Sequence, residues 1–177
     1  NWMNGTGNDR FSPDDSLTRA MLAVILWRIE GSQDASRTVT FTDTSANAWY
    51  ADGLSWCAEK GLFAGYPNGS FGPDDAVTRE QLAIVFFRYA EKTGAVPSGQ
   101  AGHTTFKNGC PWAADACDWA NEHGLFTDAI GTLDLCAPAS RAEIAYLLDQ
   151  YFPSEASPSA LTENSFDSMG YLLYTPA

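Results

Sequence analysis

Two stretches of the chain, Leu22 to Trp27 and Leu82 to Phe87, are apolar on nearly every side of a helical wheel. That pattern predicts central helices rather than amphipathic helices lying on a surface. Each stretch follows a Thr-Arg pair, Thr18-Arg19 or Thr78-Arg79, and a third pair of the same kind, Ser140-Arg141, occurs further on. Gln81 and Glu143 stand three positions after their hydroxyl residues, the spacing of a capping box, so helices are predicted to start at Thr18, Thr78 and Ser140. A further helix is predicted from Trp49 to Lys60, stopped by Gly61, which suits the left-handed position after a helix end. Next comes Gly65-Tyr66-Pro67-Asn68-Gly69, which has turn chemistry, with Phe71 and Pro73 placed to pin the turn to a core.

These elements recur. At an offset of 60 residues Gly5, Asn8, Phe11, Pro13, Asp14, Asp15, Thr18, Arg19, Leu22, Ala23 and Arg28 fall on identical residues from Gly65 to Arg88, where chance supplies about one or two identities. At an offset of 63, Trp49, Ala51, Asp52, Trp56, Glu59, Gly61, Leu62 and Phe63 match Trp112 to Phe126. One unit therefore reads as an F-x-D opening (Phe41-Thr42-Asp43, with Phe106-Lys107-Asn108 as its relative), a short helix, a loop and a second helix. The expected architecture is all-α, a pseudo-threefold bundle of helix-loop-helix repeats. Residues 1–35 supply the second half of one repeat, 36–95 a full repeat, 96–152 a repeat with a degenerate loop, and 153–177 a linker-like tail. Six helices are expected of three repeats and five can be placed, because Asn1-Trp2 aligns with Gly61-Leu62. The missing element is expected either in a longer precursor or from another chain. The tail contains Pro153, Ser154, Ser157, Pro158 and Ser159, then Phe166 and Tyr171-Leu172-Leu173-Tyr174, which are apolar enough to be expected to dock on the bundle or on a partner, or to begin a further domain.

Composition narrows the function classes. A formal charge of −12 and only 10 Lys and Arg argue against nucleic acid, which demands clustered cations. The longest apolar run, Ala20 to Trp27, is far short of the roughly 20 residues that span a bilayer. The six Trp exceed what a core needs, and surface aromatics commonly stack on sugars or line interfaces. His103 and His123 have no ligand spacing with the cysteines, the Asn/Asp loops lack a calcium-loop register, and no nucleophile sits in a recognisable frame. No metal, cofactor or enzymatic activity is expected.

The repeated arginine is the residue that simple helix grammar leaves unexplained. A cation in the first turn faces the positive end of the helix dipole and costs a few tenths of a kcal/mol, yet Arg19, Arg79 and Arg141 all occupy that position. A guanidinium beside free helix N–H groups is a candidate carboxylate site; the intramolecular alternative is a salt bridge to Asp14/Asp15 or Asp74/Asp75. Arg28 and Arg88, near helix C-termini, are expected only to complement the dipole.

Phe41-Thr42-Asp43, Trp49, the run from Gly61-Leu62-Phe63 through Gly65-Tyr66-Pro67 to Phe71 and Pro73, and Thr78-Arg79, in that order, resemble the S-layer-homology (SLH) repeat. The resemblance extends over about residues 5 to 151 and implies a three-pronged spindle whose grooves bind a secondary cell-wall polysaccharide, often pyruvylated. It implies an extracellular, non-enzymatic module anchoring a larger surface protein to the wall. Carried over by position, Arg19, Arg79 and Arg141 would contact the acid and Thr18, Thr78 and Ser140 would stand beside them. Gly5 and Gly65 would let backbone approach the sugar, and Trp49 and Trp112 would shape the groove walls. Departures from the usual T-R-A-E are Met21 and Gln81, and the loop from Thr127 to Cys136 has lost the family's Gly-Tyr-containing pattern, so the Arg79 groove is expected to be the best preserved. The competing expectation is an assembly subunit of a surface complex whose missing helix another chain completes.

Four cysteines permit three full pairings. Cys110 and Cys136 correspond roughly to Asn47 and Gly72, outside any helix core, and a bridge between them is a possible staple for the degenerate loop, worth about 2–4 kcal/mol. Cys57 and Cys117 fall at apolar helix positions and are expected to be buried.

Overall fold

The computed structural model describes residues 2–36, 40–96, 105–126 and 132–152. The tail 153–177, the loop segment 127–131 and His103 lie outside the described residues, and with them the expectation that the tail docks. The elements are α1 (Arg19–Ile29), α2 (Ala51–Glu59), α3 (Arg79–Thr93), β1 (Thr105–Lys107), a 3-10 turn (Pro111–Ala113), α4 (Ala114–Glu122), β2 (Thr132–Asp134) and α5 (Arg141–Tyr151). The described part is mainly α-helical.

Local sequence explains the helix ends. Thr78 and Ser140 close full capping boxes with Gln81 and Glu143, and the Thr18 hydroxyl accepts from the Met21 N–H. Each satisfies backbone donors that would otherwise be orphaned at the first turn. α2 ends where Gly61 turns left-handed (φ 66°) and the Leu62 N–H bonds back to the Cys57 carbonyl, the closure a glycine after a helix permits.

The residues before α1, α3 and α5 position the whole molecule. The Val77 N–H donates to Leu17 O at 2.8 Å, Ala139 N–H to Val77 O at 2.8 Å, and Leu17 N–H to Ala139 O at 2.9 Å, closing a ring of three hydrogen bonds. Outside the ring, Arg19 and Ala20 donate to Asp75 and Pro73, Arg79 and Glu80 to Ala137 and Leu135, and Arg141 and Ala142 to Asp15 and Pro13. Every helix start is thus satisfied by the loop of another copy. Leu17, Val77 and Ala139 are fully buried at the centre of the ring. Below them Leu22, Ala23, Leu26, Leu82, Ala83, Phe86, Ile144 and Leu147 belong to one continuous core that ends on Tyr89 and Tyr151. The two apolar runs are accordingly central, and α2 and α4 pack outside them on α1 and α3.

One departure from an all-helical fold is the parallel ribbon β1–β2, which pairs Thr105 with Thr132, Phe106 with Leu133 and Lys107 with Asp134. In the middle copy the opening motif and the loop share a single backbone bond, Thr42 N–H to Gly69 O at 3.1 Å. In the third copy that contact extends into a ladder of three residue pairs. The hydrogen-bond register also places Cys136 level with Asp74, since Leu135 and Ala137 accept the bonds that Pro73 and Asp75 accept in the middle copy.

The middle loop is clamped from below. The Asp43 carboxylate accepts the Phe71 and Gly72 N–H groups, both at 2.7 Å, and the first of these holds its carboxyl below the usual carboxylate range, with the second and the Arg19 charge adding to it. A carboxyl lowered by folding stabilises fully above the ordinary value near pH 4 and loses its contribution as the pH falls through the folded value. Asp43→Asn is therefore expected to cost about 1 kcal/mol at neutral pH and to flatten the acid side of a plot of melting temperature against pH. A variant whose acid limb matches the parent would contradict the clamp.

Candidate functional site

Three surface cavities follow one another around the helix starts. The first, about 300 Å³, is bordered by Met3, Asn4, Gly5, Met21, Val24, Ile25, Arg28, Trp49 and Arg141. The second, about 200 Å³, is bordered by Phe63, Ala64, Gly65, Gln81, Ile84, Val85, Arg88, Trp112 and Arg19. Apart from the two arginines contributed by neighbouring copies and the tryptophans, which stand just before α2 and in the 3-10 turn before α4, these correspond one for one at the 60-residue offset. The third, about 420 Å³, is bordered by Arg79, Leu82, Leu125, Phe126, Thr132, Leu133, Ala142, Glu143, Tyr146 and Leu147, and among its described lining residues there is no tryptophan.

The motif arginines form the cavity floors by reaching from one copy into the loop of another. Arg19 Nε and Nη2 donate to Phe71 O and Ala64 O, both at 2.8 Å. Its Cζ lies 4.6, 4.8 and 5.1 Å from the ring centroids of Phe71, Tyr66 and Phe63. Arg141 repeats this arrangement: Nε donates to Phe11 O at 2.9 Å, Nη2 to Asn4 O at 2.7 Å, and its Cζ lies 4.9 Å from the Phe11 ring. Both are buried, at 5% and 4% exposure. Burial lowers the Arg19 pKa, an effect opposed by Tyr66, Asp75 and Asp43. Backbone carbonyls and ring faces thus offset the unfavourable first-turn position that the sequence leaves unexplained. Arg79 differs. Its Nε pairs with Glu143 Oε1 at 2.6 Å, Nη1 donates to Asp134 O at 3.3 Å, and 19% of its side chain is exposed.

Thr18, Thr78 and Ser140, placed beside these arginines, have their hydroxyls engaged in the helix caps. Gly5 and Gly65 border the first and second cavities, and both have an intramolecular reason to lack a side chain. A Cβ on Gly65 would sit 2.4 Å from the Phe41 ring, and one on Gly5 would sit 2.7 Å from the Arg10 carbonyl oxygen. Gly65→Ala must push the Phe41 ring off Phe71, against which it packs with ring centroids 5.3 Å apart. It is expected to lower stability by about 1–3 kcal/mol in a urea unfolding curve; an unchanged midpoint would contradict this packing. Trp49 and Trp112 are the most exposed large apolar residues described, at 64% and 63%, and each stands on one wall of a cavity.

Sequence reasoning undervalued Arg28 and Arg88. Beyond facing a helix C-terminus, they border the first and second cavities and hold the start of the adjoining loops through Trp2 O and Leu62 O, both at 3.3 Å. Their signal was the 60-residue identity itself, which a dipole role alone does not require. Cys57 and Cys117 are buried, and burial pushes the Cys117 thiol up to about 11, with Glu80 and Asp118 adding to it. Cys110 and Cys136 are thiols whose sulfur atoms lie with a Glu80 carboxylate oxygen inside 4.8 Å of one another. This is a juxtaposition that ligand spacing along the chain does not reveal. Two thiols and a carboxylate are ligand types of divalent metal sites.

The three cavities each have one of the repeated arginines in their lining, on a mainly helical scaffold. Residues 40–83 match the profile of the S-layer homology domain. It is 32% identical over 111 residues to the cellulosome-anchoring protein of Acetivibrio thermocellus, a match covering 60% of this chain and 25% of that protein. It is 28% identical over 151 residues to the surface-layer 125 kDa protein of Lysinibacillus sphaericus, covering 82% of this chain and 12% of that protein. It is also 33% identical over 115 residues to an endoglucanase of a Bacillus species, covering 63% and 12%. The chain thus spans a quarter or less of the length of these relatives. No described helix is long and apolar enough to cross a membrane.

Proposed function

We propose that the chain is a non-catalytic, extracellular module that anchors a surface protein to the cell wall by holding an acidic, sugar-containing wall polymer in its grooves. The names of the anchoring and surface-layer relatives support the location and the class of role. The hydrogen-bond ring joining three helix starts supports a pseudo-threefold bundle as its architecture, with repeats at 1–35, 36–95 and 96–152. Pyruvylated polysaccharide is the specific ligand class proposed.

The observation that carries this reading is the pairing, in the linings of two equivalent cavities, of an exposed indole with an arginine: Trp112 with Arg88, and Trp49 with Arg28. An aromatic face accepts the apolar side of a sugar ring while a guanidinium takes a carboxylate. Arg19 and Arg141 act from the floor, holding the loops that shape each cavity, and Gly65 and Gly5 keep the rim low. These two grooves suit an anion better than the third, where Glu143 already pairs with Arg79 and the lining is otherwise mostly apolar. That third cavity is the surface to which the competing reading, a protein-assembly role, would apply.

Arg28→Ala combined with Arg88→Ala is expected to lower the fraction of chain that co-sediments with purified walls about tenfold, while retention by the parent chain falls as salt rises. Salt-independent retention that ignores both substitutions would reject the anion contact.

A further inference from the structure

We propose that Cys110 and Cys136 form a disulfide that replaces, in the third copy, the carboxylate clamp of the middle copy. In the middle copy Asp43 holds two successive N–H groups of the loop. The third copy has Asn108 at that place in its opening motif, and the Asn108 amide is turned instead to the Asp134 carboxylate at 2.9 Å. The two thiols stand where that clamp is missing. Cys110 follows β1, its N–H bonded to Glu80 at 2.9 Å, and Cys136 follows β2, its thiol directed at the Asn108 carbonyl. Both sulfurs fall within the 4.8 Å cluster, and rotation of the two side chains with an approach of the two loops brings them to bonding distance. The other two cysteines are sealed in the core at 0% and 3% exposure, which leaves this as the accessible pair.

Bond formation takes one electron and one proton from each thiol. A donor disulfide, the usual oxidant of extracytoplasmic compartments, has its S–S bond broken and leaves as two thiols. The bridge closes the segment containing α4 and ties down the end of β2, whose Thr132 and Leu133 form one wall of the third cavity and whose Asp134 carbonyl holds Arg79. The proposal draws on the anchoring reading only for the oxidising location, and wall retention is scored separately, so either can fail without the other.

The test uses the whole chain secreted into an oxidising compartment and purified without reductant. After denaturation, iodoacetamide is expected to modify only Cys57 and Cys117. Reduction should then add two hydrogens to the mass, and a peptide map should contain one fragment joining Cys110 to Cys136. Reduction under native conditions, or the pair Cys110→Ser and Cys136→Ser, should speed amide exchange at Leu135, which bonds to Lys107 O at 3.1 Å, by tenfold or more. Alkylation of all four cysteines without reduction overturns the proposal, as does a bridge to Cys57 or Cys117. Release of native Cys110 and Cys136 to alkylation by a chelator alone, the mark of a bound metal, overturns it too. Unchanged exchange at Leu135 would show that the bond is not a clamp.

Discussion

Arg19→Ala is expected to destabilise the chain by about 3–5 kcal/mol, enough to leave much of it unfolded. The substitution removes donors from Phe71 O and Ala64 O, leaving buried acceptors whose desolvation is no longer offset. It also opens a cavity against Phe63, Tyr66 and Phe71, which the guanidinium now covers. Arg141→Ala should behave alike, since its carbonyl bonds to Phe11 and Asn4 repeat the arrangement. Arg79→Ala should cost about 1 kcal/mol, because its side chain is partly exposed and its main partner is a half-exposed carboxylate. Urea unfolding followed by circular dichroism ranks the three. Equal, small losses for all of them would mean that the arginines are not structural keystones, and would return them to the role of ligand contacts alone.

The largest effect on binding is expected at the two exposed indoles. Trp112→Ala and Trp49→Ala should each weaken binding of polysaccharide released from the wall at its own groove, and together overall, by about ten- to a hundredfold, the worth of one aromatic–sugar stack converted at 1.4 kcal/mol per tenfold. Because the two indoles are 63% and 64% exposed, their removal should change stability by no more than about 0.5 kcal/mol. Calorimetric titration of the polysaccharide, with unfolding curves on the same samples, separates these effects. Binding lost together with stability would place the tryptophans in the fold instead of the site, and binding unaffected by either substitution would place the ligand elsewhere.

Much of this was legible along the chain because it is local. The caps at Thr18, Thr78 and Ser140, the left-handed Gly61, and the central character of α1 and α3 depend on residues within a few positions of one another. The 60-residue identity marked the matching residues that border the first and second cavities, although it did not show that they line cavities. What the sequence concealed is contact across copies. Nothing near Arg19 announces that its partners are Phe71 and Ala64, so a first-turn cation read as a ligand contact or an ion pair. Arg28 and Arg88 looked fully explained by the helix dipole, and only the folded loops show them reaching Trp2 and Leu62. The β1–β2 ribbon escaped notice because three residues on either side carry no periodic signal, and its partners lie on opposite sides of α4. The register of Cys136 likewise depends on which carbonyl accepts from Glu80, a bond between segments far apart in sequence.

Sedimentation with purified walls, before and after extraction of their non-peptidoglycan polysaccharide, tests the anchoring role most directly. The parent chain should pellet with intact walls and stay in solution with extracted ones, and the Trp49→Ala, Trp112→Ala double variant should stay in solution with both. Pelleting that survives extraction, or that the double variant shares, would contradict a polysaccharide held in these grooves.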